Sequence, residues 1–197
     1  MPIRPFAEVL QSEKFMVTTE LNPPKGTALA PLLAHAEQLR DVVDAFNLTD
    51  SHSSRMSMAP LAVARLLVER GLEPILQVTC RDRNRLALQS DLLAAAALGV
   101  RNLVCMTGDP PGAGDHPDAK PVFDLDVLGL LQAVAATGVR ALTALIREST
   151  LVTWRRCSLE TRHAMPASTL PAQRSVGAPR LRHRGKSRAR TILASLL

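Results

Sequence analysis

Four short β-prone runs punctuate the first part of the chain: FMVTTE (15–20), VVDAFNLT (42–49), EPILQVTC (73–80) and RNLVCMTG (101–108). Between and after them lie segments rich in good helix formers: ALAPLLAHAEQLR (28–40), MAPLAVARLLVERG (58–71), RLALQSDLLAAAALG (85–99) and DLDVLGLLQAVAATG (124–138). The last three end in Gly71, Gly99 and Gly138, where a left-handed C-terminal residue is wanted. The strand ends recur about every thirty residues, the size of a strand–helix unit in a parallel sheet. The pattern therefore predicts four consecutive βα units, with parallel strands near 15–20, 43–49, 74–79 and 102–107 and helices outside them. Such units close either into an open doubly wound sheet or into a (β/α)8 barrel. No GxGxxG follows the first strand and no GxxxxGK[ST] occurs, so the common phosphate loops of open sheets are missing. In both architectures ligand chemistry gathers at the C-terminal ends of the parallel strands.

The rhythm fails after about residue 146, and there the charge changes as well. Residues 1–146 hold 13 Lys+Arg against 16 Asp+Glu, a net −3, whereas 147–197 hold 11 against 2, a net +9. The overall +6 of the 197 residues thus belongs to the tail. We divide the chain into a patterned domain, 1–146, and a basic, irregular tail, 147–197, expected to be poorly ordered. The tail lacks interleaved aromatics and any RNA-binding signature, which sets nucleic acid aside as a partner. With 46% hydrophobic residues the patterned part has enough apolar side chain for one core. There is no run of eighteen apolar residues and no signal-like start, so the expectation is a cytoplasmic protein with no membrane partner. Cys80, Cys105 and Cys157 are too few and too scattered for a disulfide framework.

Each strand end carries polar chemistry. The first ends TTELNPPKG, placing Glu20 where the strand gives way to Asn22-Pro23-Pro24. A carboxylate at a barrel mouth can serve as a general acid, although an exposed residue near a turn has the same spacing. The second ends NLTDSHSSRMS, where Thr49 and its neighbours contact a polar ligand or the serines cap the following helix. Asp50 and His52 lack further ligands at metal spacing, so no metal site is expected. In ILQVTCRDRN, alternation puts Gln77 and Thr79 on one face and Val78 and Cys80 on the other, while Arg81, Asp82 and Arg83 read as a solvated surface cluster. The fourth strand ends MTGDPPG, where Gly108 admits close backbone approach and Asp109 presents a carboxylate. Together the four ends supply Glu20, Thr49, Gln77 and Asp109 to one rim.

These residues resemble the methylenetetrahydrofolate reductases. The likeness rests on Glu20 followed by Pro23-Pro24-Lys25, on Thr49, on Thr79-Cys80, and on Gly108-Asp109-x-Pro111, and it covers about residues 13 to 140. The resemblance implies a TIM (β/α)8 barrel, here the N-terminal part with about four units. It also implies FAD as cofactor, NAD(P)H as reductant and 5,10-methylenetetrahydrofolate as substrate, reduced to 5-methyltetrahydrofolate. By the same resemblance Glu20 is the acid that protonates a folate ring nitrogen, and Asp109 is the carboxylate beside the flavin. Thr49, Gln77, Met106, Thr107, Gly108 and Asp109 are the cofactor-side residues it implies.

This chain departs from the family pattern at three points. It lacks the aromatics around the first-strand Glu, the His at position 77 and the Arg at position 107. A barrel of this kind takes about 250 residues, so strands five to eight are expected to be missing, and the shift to an Arg/Ser/Pro-rich tail reads as a truncated or frame-shifted gene. That leaves two functional readings. One is a reductase, active or not as this chain. The other is a non-catalytic barrel fragment or subunit, in a homo-oligomer or with a partner chain that covers its open strand edges.

Overall fold

A computed structural model describes Glu8, residues 15–137 and three strand segments, 143–147, 154–157 and 191–194. Strand β1 (Met16–Leu21) leads to helix α1 (Ala30–Gln38), β2 (Ala45–Leu48) to α2 (Pro60–Glu69), β3 (Pro74–Thr79) to α3 (Arg85–Ala97), and β4 (Asn102–Met106) to α4 (Val127–Ala136). The four expected strand–helix units are present, and β1 to β4 pair in parallel and in sequence order. Local chemistry sets the helix ends. Pro31 and Pro60 sit in the first turns of α1 and α2, where a missing N–H costs nothing. The Asn84 and Asp126 side chains cap α3 and α4 by accepting from Ala87 N and Gly129 N. Gly71 and Gly99 close α2 and α3 at φ of 68° and 82°, the left-handed geometry read from the sequence. Gly138, the expected third case, lies outside the described residues.

The helices cover one face of the sheet. Phe46, Leu48, Leu76, Val78, Cys80, Leu103 and Cys105 from the strands pack with Ala36, Val63, Leu67, Leu88, Leu92 and Leu130 from the helices in a single buried cluster. The opposite parity gives a second, smaller cluster made by strands alone: Met16, Ala45, Ile75 and Val104, with Met106 beside it. Sequential strand order with every helix on one face is the arrangement of a barrel arc; a doubly wound sheet would place helices on both. Val78 and Cys80 lie among the helix-facing residues, as alternation required.

The sheet continues past the four units. Strand β5 (Thr143–Arg147) pairs in parallel with β4, β6 (Trp154–Cys157) pairs antiparallel with β5, and β7 (Thr191–Ala194) pairs in parallel with β1, giving the order β6-β5-β4-β3-β2-β1-β7. The expected absence of a fifth strand is thus corrected. Its run, TALIR, is too short for periodicity to tell strand from helix. Two four-residue strands also fall inside the tail read as irregular, while its remaining residues lie outside the described ones. The edges of β1 and β4 that were expected to stand open each have a backbone partner. Among the described residues no helix is long and apolar enough to cross a membrane.

Phe46 is 1% exposed and joins β2 to the helix layer. Phe46→Ala should lower unfolding free energy by about 3–5 kcal/mol, read from the midpoint of a denaturant titration of the full chain. An effect below 1 kcal/mol would show that the helices do not pack on this face.

Candidate functional site

The helix-free face determines which polar side chains can meet. Pairing sets Thr18 beside Ala45, Glu20 beside Asn47, Gln77 beside Val104 and Thr79 beside Met106. This face therefore carries Thr18 and Glu20 on β1, Asn47 and Thr49 on and just after β2, Gln77 and Thr79 on β3, and Met106 at the end of β4. Burying so many polar groups in a sheet is unfavourable unless each finds a partner. Thr18 Oγ1, two residues before Glu20, and Asn47 Oδ1, beside Glu20 in the register, are buried with no hydrogen-bond partner among the described residues. Such orphaned groups suit a polar ligand or trapped water better than an apolar filling.

At the rim the structure gives each expected residue a distinct setting. The Glu20 side chain is 9% exposed, with His52 Nδ1 3.8 Å from its Oε1. Thr49 is buried and its hydroxyl donates to Asn22 Oδ1 at 2.8 Å. Both Thr49 and His52 line a cleft of about 170 Å³, with Asn22, Lys25 and Arg55 on its other walls. Gln77 is buried and faces away from the helices, whereas Met106 is half-buried beside the strand-only cluster. Thr107 and Asp109 are exposed, and Gly108 between them has φ +88°. A Cβ at position 108 would lie 3.0 Å from Arg81 Cβ and 3.1 Å from Thr79 Cβ, so glycine is required both by conformation and by space.

Two residues the sequence reading left at the surface form the frame. Asp50, 6% exposed, accepts from Thr79 N and Thr79 Oγ1, each at 2.9 Å, and pairs with Arg83. Arg83 also pairs with Asp91 at 3.0 Å. Burial alone would pull its guanidinium pKa down, but Asp50 and Asp91 outweigh that and raise it. Arg81 is 3% exposed and bidentate to Asp82. The expected solvated cluster at 81–83 holds for Asp82, which is exposed, and is corrected for the two arginines: Asp50 arrives from the β2 loop to neutralise Arg83, and neighbouring loops cover Arg81. No local pattern foretells a counter-charge more than thirty residues away.

The second loop also departs from expectation. Its serines were read as caps of the next helix, yet α2 has no side-chain cap. Instead residues His52–Ser54 form a short 3-10 turn, with Ser51, Ser53 and Ser54 at φ of 51°, 51° and 56°. Residues held there cost on the order of 1 kcal/mol or more each, so tertiary contacts must hold the turn. Ser54 Oγ supplies one by donating to the Asp109 carbonyl at 2.7 Å. The turn thus touches both rim carboxylate residues: Glu20 through His52 and Asp109 through Ser54. Nearby, Lys25 pairs with Asp115, which also accepts from Met56 N. Those contacts, led by Lys25, hold the Asp115 carboxyl well below the usual range.

A family model described as methylenetetrahydrofolate reductase matches residues 5–142. No curated protein matches the chain.

Removing Asp50 takes the acceptor from the buried Thr79 N–H and hydroxyl and leaves Arg83 with Asp91 alone, so Asp50→Ala should cost about 1–3 kcal/mol in denaturant unfolding. A loss under 1 kcal/mol would mean the frame does not depend on it. Cys80 is fully buried, and burial, with the Asp126 charge adding to it, pushes its thiol up to about 11. The folded state therefore holds this proton more tightly than the unfolded chain does. Its contribution to stability is complete below the ordinary thiol range and is lost as pH rises through about 11. Iodoacetamide at pH 8 should leave Cys80 unmodified in the native chain and alkylate it after unfolding, as peptide mass spectrometry would read.

Proposed function

The chain belongs to the methylenetetrahydrofolate reductase family, and on that premise we propose that its rim binds FAD and reduces 5,10-methylenetetrahydrofolate to 5-methyltetrahydrofolate at the expense of NAD(P)H. The observation that carries the reading is a shielded carboxylate and an open one on the same strand-end rim. Glu20 is almost enclosed beside His52, while Asp109 projects from a glycine-gated turn.

The residues present fit the ring-bearing end of the cofactor. Gly108 lets the strand-end turn pass close over Arg81 and Thr79 with no side chain of its own, and the orphaned Thr18 Oγ1 and Asn47 Oδ1 make the helix-free face receptive to polar groups. Thr49, Gln77, Met106, Thr107, Gly108 and Asp109 would hold it. When bound, FAD would supply the hydride that it takes from NAD(P)H.

Glu20 does the acid's work. Its carboxyl gives a proton to a ring nitrogen of the bridged folate, the carbon–nitrogen bond to that nitrogen opens, and the methylene carbon becomes an electrophilic iminium ready for hydride. The Glu20 carboxyl is nearly enclosed, and the exposed His52 imidazole stands 3.8 Å from it. Asp109 keeps a negative charge on the rim. Among the described residues its carboxylate enters no ion pair, so the charge is free to stabilise the cationic folate and to disfavour anionic reduced flavin.

Full-length protein should turn yellow with FAD, and Glu20→Gln should slow the folate half-reaction by about 10²–10⁴ while sparing flavin reduction by NAD(P)H, as stopped-flow absorbance would separate them. Asp109→Asn should retain FAD and raise its reduction potential. Loss of the NAD(P)H half-reaction in Glu20→Gln, with the folate step intact, would refute the assignment of the acid.

A further inference from the structure

We propose that Arg81 is a positioning residue that fixes the backbone from which Asp109 projects, acting through Ser54 and through the Asp109 carbonyl. Strand pairing cannot do this, because β4 ends at Met106, three residues before Asp109. Beyond that point the chain runs through Pro110, Pro111, Pro117 and Pro121 and meets the end of β3 again at Val122.

Both ends of this excursion are fastened to Arg81. At its start, Arg81 Nη1 donates to the Asp109 carbonyl at 3.3 Å and to Ser54 Oγ at 3.0 Å, and Ser54 Oγ itself donates to the same carbonyl at 2.7 Å. At its end, Val122 N donates to the Arg81 carbonyl at 2.7 Å. A loop whose two ends meet on one residue is closed at its neck, the arrangement that makes long surface loops compact. The rest of the guanidinium is occupied by Asp82, which accepts from Nε and Nη2 at 2.7 Å each. That bidentate contact aligns the planar fork and leaves Nη1 directed at the loop.

Packing enforces the same placement. At 3% exposure Arg81 has little room to swing away, and Gly108 passes so close that a Cβ there would be 3.0 Å from Arg81 Cβ. Farther along the loop, a Cβ at Gly114 would fall 1.8 Å from the Ser54 carbonyl oxygen, so the loop presses on the strained serine turn at a second point. The brace therefore explains the positive φ values at Ser53 and Ser54: that conformation delivers the hydroxyl to Arg81 and Asp109. A lysine could keep the charge but could not make these contacts together, because its point-like ammonium lacks the fork.

The role of Arg81 in chemistry rests on the reading of Asp109 given above, whereas the brace itself does not, and the two can be tested apart. Hydrogen exchange in the full chain reads the brace. Arg81→Lys and Ser54→Ala should each accelerate exchange at Ala113 and Gly114 at least tenfold, while the Phe46 and Leu88 amides in the core hold their rates. Val122, bonded to the Arg81 backbone, should change least. No acceleration at Ala113 and Gly114, or equal acceleration at Phe46 and Leu88, would overturn the proposal. Should Arg81→Lys fail to fold, Ser54→Ala alone decides, since it removes only one hydroxyl. In FAD-loaded protein, Arg81→Lys should raise the flavin potential in the same direction as Asp109→Asn, and the double variant should raise it no further than Asp109→Asn does. Additive shifts would show that Arg81 does not act through Asp109. If wild-type protein takes up no FAD, the proposed reaction falls and the exchange rates still decide the brace.

Discussion

The rim depends on the Asp50 carboxylate. A carboxylate withdrawn from water is tolerated only where donors and a cation replace its hydration. Asp50 finds the Thr79 backbone N–H, the Thr79 hydroxyl and Arg83, all from the next strand and the loop that follows it. That cluster ties the end of β2 to the end of β3, and further contacts follow from it. Thr79, held by Asp50, is one wall of the slot through which Gly108 passes, and Arg81, two residues on, is the other. The position of Asp109 is thus set through three loops by a charge that takes no part in the proposed chemistry.

Two economies of the parallel sheet make this rim. Right-handed sequential units put every helix on one face, so the apolar half of each strand is sealed by the helices and the polar half is left for ligand. The parallel strands β1 to β4 also end on one edge, so Glu20, Thr49 and Asp109 stand near strand ends on the same side, with Gln77 two residues inside β3, without any of them being neighbours in sequence. Polar groups such as Thr18 and Asn47 on the uncovered face work against stability, and a chain keeps them where they face something polar. The two rim carboxylate residues are also unequal by construction. Glu20 is shielded and Asp109 exposed.

The units and their faces are legible from residue order alone, because strand and helix periods and glycine chemistry are local. The runs at 15–20, 74–79 and 102–107 became strands within a residue or so, Gly71 and Gly99 took left-handed conformations, and Val78 and Cys80 faced the helices. The matched family follows from the same motifs. The remainder depends on contacts between distant segments and emerges in the folded chain. Arg81 and Arg83 look like surface charges until Asp50 and the later loops reach them, and the serines after β2 look like caps until Ser54 meets Asp109. Strand β5 and the tail strands are too short to show a period, and pairing with a neighbouring strand is what defines them. Local chemistry writes the elements; long-range charge pairing and close backbone approach assemble the site.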